Sequence, residues 1–208
     1  MKNLAAILIT ILSITVAEAQ QSNQFYIDSL KHELTIAKED TNKVDLLLTL
    51  SNFYVQSSAD TGIAYAQQAL DLAKKVNFQE GILFAEGTLS TLFAVSGNYP
   101  LGLDHAFKTL ALAKKSFPLE VPWALALVFW CNYYLGEYKN ALKYHGEAMK
   151  LAQPWELPYG WRDLAMVYHK LNQPDSALLY AKKAYENLKG SLTEANEVIP
   201  IAKDSEIS

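Results

Sequence analysis

The stretch GEYKNALKYHGEAMKLA, Gly136 to Ala152, decides the fold, because the chain carries a second version of it. In GNYPLGLDHAFKTLALA, Gly97 to Ala113, the Gly, the Tyr and the closing Leu-Ala recur at the same offsets. Working outward, small residues repeat in steps of four, three and four. Gly102, Ala106, Thr109 and Ala113 obey this rule, as do Ala141, His145, Ala148 and Ala152. Gly62, Ala66, Ala69 and Ala73 obey it upstream, and Ala177, Ala181, Ala184 and Leu188 downstream. Such steps keep residues on one face of a helix. A stripe of Gly and Ala lets a second helix come close where larger side chains would hold it away. The stripes start at 62, 102, 141 and 177, so the period is 40, 39 and 36 residues.

Turn chemistry precedes every stripe: SSAD, SGNYP, LGEY and LNQPD. Pro100 and Pro174 fall where a first helical turn tolerates proline. Between the striped helices lie more apolar ones, expected near 42–56, 79–96, 121–135 and 157–171. The expected fold is therefore all-α: about four helix-turn-helix pairs, stacked, over residues 41–189. Ahead of them, NQFYIDSLKHELTIAKED (23–40) sets Phe25, Ile27, Leu30 and Leu34 on an amphipathic helix, so 20–40 reads as an N-terminal cap. Residues 190–208 are short, polar and interrupted by Pro200, and read as a C-terminal cap or frayed tail.

This pattern resembles the tetratricopeptide repeat family, W-x2-L-G-x2-Y, then A-x3-F, then P. WRDLAMVY matches best, with Trp161, Leu164, Ala165 in place of the glycine, and Tyr168. SALLYAKKA follows as the second helix, and LGEYKNALKYHGEA carries the same wording with His145 where an aromatic is usual. The resemblance implies a right-handed superhelical stack whose first helices line a concave groove. Carried over by phase, the groove residues are Trp123, Trp130, Tyr133 and Tyr134 in the third repeat, and Tyr159, Arg162, Met166, His169 and Lys170 in the fourth. Trp, Tyr and Arg dominate binding hot spots. This set suits a peptide with an apolar anchor and a carboxylate. The competing reading buries Trp123 and Trp130 in inter-repeat core, because helix 121–135 is apolar on nearly every side. DTGIAYAQQALDLAKKVNFQEGI also looks like the exported repeats of bacterial two-component histidine kinases, although no membrane helix or kinase domain follows it here.

The first residues, MKNLAAILITILSITVAEAQ, have a positive start, a short apolar run and Ala17-Glu18-Ala19 as an A-x-A site. They read as a signal peptide, 1–19, cleaved after Ala19, which makes the protein exported: periplasmic or extracellular. The apolar run is shorter than the ~20 residues of a spanning helix, so membrane contact is expected only through this segment if it stays uncleaved.

The chain has 208 residues and a formal charge of -4, with Arg162 as its single arginine. Nucleic-acid binding needs a basic patch or stripe and is excluded as an expectation. Cys131 is alone, so there is no internal disulfide and no C-x-x-C motif. His32, His105, His145 and His169 are scattered through the repeats and read as packing residues rather than metal ligands. No P-loop, G-x-S-x-G or H-E-x-x-H occurs. The sequence thus points to a non-catalytic scaffold of the cell envelope that binds a protein or peptide, without cofactor or metal, for signal sensing. The alternatives are an envelope assembly adaptor and a hydrolase using Glu156, Asp163 or His169.

Overall fold

The computed structural model describes residues 24–153 and 155–188. The expected signal peptide and cleavage point, and the expected cap or tail over 190–208, lie outside the described residues. All regular structure among the described residues is helical. The chain divides into two compact units, Met1–Thr88 and Leu89–Ser208.

In the first unit, α1 covers 24–36, α2 Thr41–Tyr54 and α3 Ala59–Lys75, and α4 begins at Gln79. The Asp40 side chain caps α2 by accepting from the Lys43 N–H at 3.2 Å, which satisfies one of the free donors of the first turn. The stripe Gly62, Ala66, Ala69 and Ala73 is buried, and α3 packs closely on α2 along it. Ser51, fully buried on α2, donates its hydroxyl to the Gly62 carbonyl at 2.8 Å, so the close approach is also a hydrogen-bonded one. On α1 only Leu30 is buried. Phe25, expected on the apolar face, is 78% exposed, while its neighbour Tyr26 meets Phe53 with ring centroids 5.4 Å apart.

The division between the units falls within α4, Gln79–Val95. In the second unit follow α5 Tyr99–Ser116, a 3-10 turn Pro118–Glu120, α6 Val121–Tyr134, α7 Tyr138–Met149, α8 Leu157–Lys170 and α9 Pro174–Leu188. Helix α6 packs against both α5 and α7, and α8 against α9. The stripes are again the contact faces: Ala106, Ala113, Ala141, Ala177, Ala181 and Ala184 are all essentially inaccessible. At Gly102 the fit to backbone is close, because an added Cβ would stand 3.0 Å from the Ser90 carbonyl oxygen and 3.3 Å from Cys131 Sγ.

Four turns close in one way. Asn77, Gly97, Gly136 and Asn172 have φ of 57°, 82°, 79° and 55°. The residue after each donates back five positions: Phe78 to Ala73, Asn98 to Phe93, Glu137 to Asn132 and Gln173 to Tyr168, at 2.8–2.9 Å. This is the left-handed closure that glycine and asparagine supply at least cost. It turns the chain back on itself and sets successive helices antiparallel. One boundary differs from the sequence reading. Helix α7 ends at Met149, so Ala152, the last member of its stripe, lies beyond it. Lys150 and Leu151 form a turn instead, in which the Leu151 N–H donates to the Ala148 carbonyl at 2.9 Å.

Candidate functional site

Helix α6, VPWALALVFWCNYY, has no polar face. Ala124, Leu125, Val128, Phe129, Cys131, Asn132 and Tyr133 are buried between its neighbours. The side chains left over, Trp123, Ala126, Leu127 and Trp130, are half-buried, and Tyr134 is exposed. These leftovers border two cavities of the second unit that share no residue.

The first cavity, about 370 Å³, lies among α4, α5 and α6. Ser90, Thr91, Ala94 and Val95 form one side, and Leu127, Trp130, Cys131 and Tyr134 the other, with Tyr99 at the end. Its rings form a continuous row. Tyr99 stacks on Tyr134 at 5.4 Å and 13°, and Tyr134 on Trp130 at 5.9 Å and 28°. At its floor Ser90 Oγ and Cys131 Sγ are 3.7 Å apart, and burial pushes the thiol pKa up. Raised and buried, this cysteine is a packing group rather than a nucleophile.

The second cavity, about 280 Å³, lies among α6, α7 and α8. It opens where α7 stops short: Ala148, Met149 and Ala152 line it on one side. Pro122, Trp123, Ala126 and Phe129 form the opposite wall, and His145, Glu156, Gly160 and Asp163 complete it. The His145 ring, 4% exposed, leans on Phe129 with centroids 5.2 Å apart. Burial lowers its pKa, opposed by a backbone hydrogen bond to Gly160. Glu156 accepts from the Gln153 N–H at 2.6 Å and so fixes the bend before α8. Asp163 accepts from Arg162 Nε and Nη2 at 3.2 and 3.1 Å.

The sequence-derived groove residues do not form one wall. Trp130 and Tyr134 border the first cavity and Trp123 the second. Tyr133 packs with Phe129, Ala141 and Val167, and Met166 lies half-buried on that same cluster. Tyr159 packs on Ala165, Ala181 and Ala184. Arg162 is held by Asp163 and stands 5.8 Å from the centre of the Tyr159 ring, its side chain only 23% exposed. His169 and Lys170 are exposed at the end of α8. Trp123 and Trp130 are each half-buried, and each borders a cavity. The sequence reading did not bring Tyr99 into a site, and it took His145 as packing. A clue was present, since His145 is the one imidazole in a stripe otherwise of small or apolar residues. Among the described residues no cluster of His, Cys, Asp or Glu is suited to a metal ion, and no helix is long and apolar enough to cross a membrane.

No protein-family model matches the chain, and no curated protein matches it either. Solved structures do. A STAND-type signal-transduction ATPase with a tetratricopeptide repeat sensor, from Pyrococcus horikoshii, superposes with a TM-score of 0.78 at 20% identity over 94% of this chain. Aspartyl phosphate phosphatase F from Bacillus subtilis gives 0.73 at 17% identity over 86% of it. A Rap protein complexed with competence and sporulation factor gives 0.69 at 18% identity over 90% of it. The chain spans 32%, 52% and 61% of those three chains. At these identities the likeness concerns architecture, and the architecture is that of an all-α, tetratricopeptide-repeat-like helical array.

Proposed function

We propose that the protein is a non-catalytic interaction scaffold that holds a segment of a protein partner against α4, α5 and α6. An apolar or aromatic side chain of the partner enters the cavity bordered by Trp130 and Tyr134. One observation carries this reading. The stacked row Tyr99, Tyr134 and Trp130 faces a cavity of about 370 Å³ while the helices beneath it are closely packed. Aromatic side chains set on rigid helices present a large apolar area at little ordering cost. The likeness in fold to a Rap protein complexed with competence and sporulation factor, and to a protein with a repeat sensor, supports it. The non-catalytic part rests on the side chains themselves. Glu156 is committed to a turn and Asp163 to Arg162, so neither is placed as a general base. The N-terminal segment supports an exported, envelope-located protein, and the likeness of its repeats to exported sensor segments supports a role in signal sensing.

Affinity capture from envelope extract with the tagged full chain tests this. A partner retained by wild type and by Leu119→Ser, a change at a residue that lines neither cavity and is 91% exposed, is expected to be lost with Tyr134→Ala. Equal retention by all three removes the α4–α6 cavity from the site.

A further inference from the structure

The second member of each small-residue stripe is, in chain order, Ala66, Ala106, His145 and Ala181. Ala66, Ala106 and Ala181 are fully buried, at faces where another helix comes close. Only the stripe of α7 puts an imidazole at this place, and the ring is still 4% exposed. On one side it leans on Phe129 of α6, with ring centroids 5.2 Å apart. On the other it meets α8 at Gly160, where an added Cβ would run into the Met149 sulfur and stand 3.6 Å from His145 Cε1. A cavity of about 280 Å³ adjoins the ring.

His145 therefore stands in the joint between two helix pairs, α6–α7 and α8–α9. Toward the turn end the pairs share the apolar cluster of Phe129, Tyr133, Ala141 and Val167. Val167 lies about 10 Å along α8 from Gly160. Toward the other end the contact is His145 and Met149 against Gly160, beside the cavity. The charges around this contact are soon named. Helix α6 walls the space with Pro122, Trp123, Ala126 and Phe129 and brings no charge to it. Helix α5 brings Lys114, which pairs with Glu147 of α7 at 3.6 Å. Helix α8 brings Asp163, which holds Arg162, and the residue before it, Glu156, holds the Gln153 N–H. A neutral ring suits this enclosed place, and an imidazolium loses its hydration there.

We propose that the joint between α6–α7 and α8–α9 is a pH-operated hinge, in which protonated His145 leaves its place against Gly160 for the adjoining cavity and α8–α9 swings about the Phe129–Val167 cluster. The sign follows from burial, which outweighs the hydrogen bond to the Gly160 backbone and holds the folded pKa below the usual 6.5. The closed joint is complete above 6.5 and is lost as pH falls from 6.5 through the folded pKa. The cavity supplies the room for the ring, and its carboxylates make it the more favourable side for a positive charge. The angle between the two helix pairs then follows pH.

Pulsed electron paramagnetic resonance on the full chain tests it, with nitroxides at two pairs of positions and pH stepped from 7.5 to about 5. Gly146→Cys with Glu186→Cys spans the His145 end, since nothing lies within 4 Å of a Cβ at Gly146 and Glu186 is exposed. Lys139→Cys with Asp175→Cys, both at exposed positions, spans the cluster end. Cys131 is buried and takes no label. On acidification the 146–186 distances should shift to longer values while 139–175 stays in place. His145→Ala restores the residue of the other stripes, and His145→Gln keeps a polar side chain that does not titrate. Each variant, shown to be folded by circular dichroism, should hold one 146–186 distance across the range. An unchanged 146–186 distance with His145 present, the same shift in folded His145→Gln, an equal shift at 139–175, or loss of the whole fold before 146–186 moves overturns the proposal. No partner protein takes part, so its failure and that of the scaffold reading are distinguishable.

Discussion

Gly102→Ala and Gly146→Ala are the same chemical change in helices of the same unit, and the packing predicts opposite signs. At Gly102 an ideal Cβ would meet the Ser90 carbonyl oxygen at 3.0 Å, the Ala94 nitrogen at 3.3 Å and Cys131 Sγ at 3.3 Å. Two of these atoms belong to the backbone of α4 and cannot rotate away. Overpacking of a close-fitted interface costs about 1–3 kcal/mol. Alanine returns about 0.5–1 kcal/mol through its better helix propensity. The net expectation is a loss of about 1 kcal/mol, within a range of about 0–2.5, or about 2–4 °C in Tm per kcal/mol for a chain of this size. At Gly146 nothing lies within 4 Å of the added Cβ, so only the propensity gain remains. That variant should be more stable by about 0.5–1 kcal/mol. Urea unfolding followed by tryptophan fluorescence reads both, since Trp123, Trp130, Trp155 and Trp161 all lie in Leu89–Ser208. Equal effects, or a stabilised Gly102→Ala, would refute the small-residue stripe as the reason for the close approach of α5.

Three further outcomes are expected. Because burial holds the folded pKa of His145 below its usual 6.5, the unfolded chain takes up the proton first on acidification. Stability should therefore fall as pH drops through 6.5 toward the folded pKa. Denaturation midpoints between pH 7.5 and 5.5, compared with His145→Gln, should show a flatter profile in the variant. Cys131 is buried with a raised thiol pKa, so an aromatic disulfide reagent at neutral pH should label it only after unfolding; rapid labelling of the native protein would contradict the packing of α6. Ser51→Ala removes the hydroxyl that binds the Gly62 carbonyl and should cost about 1 kcal/mol in thermal unfolding, whereas Thr49→Ala, on the half-exposed side of α2, should cost less.

The architecture was legible because helix packing is written locally. The four stripes named contact faces that are buried wherever they are described, apart from Ala148 and Ala152, which are half-buried. The expected 79–96, 121–135 and 157–171 became Gln79–Val95, Val121–Tyr134 and Leu157–Lys170. Where tertiary detail decides, legibility stopped. The end of α7 at Met149, which leaves Ala152 beyond the helix, could not be read from the stripe. Phe25 follows the apolar period, but the partner surface of α1 accepts only Leu30 and the neighbours of its turn. The cavities were not readable, because each arises from space left among three helices rather than from a motif. The Arg162–Asp163 pair was equally hidden. Adjacent residues on a helix do not ordinarily face each other, so a sequence reader has no cause to neutralise the single arginine with its neighbour.

The central claim is that the face around Trp130 and Tyr134 holds a protein partner. A photo-crosslinking amino acid placed at position 134 tests it most directly, with the same group at position 185 of α9, where Tyr185 is 40% exposed, as the comparison. Illumination of intact cells that make the protein should join position 134 to one discrete partner that position 185 does not capture. The same adducts from both positions, or none from position 134, would contradict a binding site on the α4–α6 face.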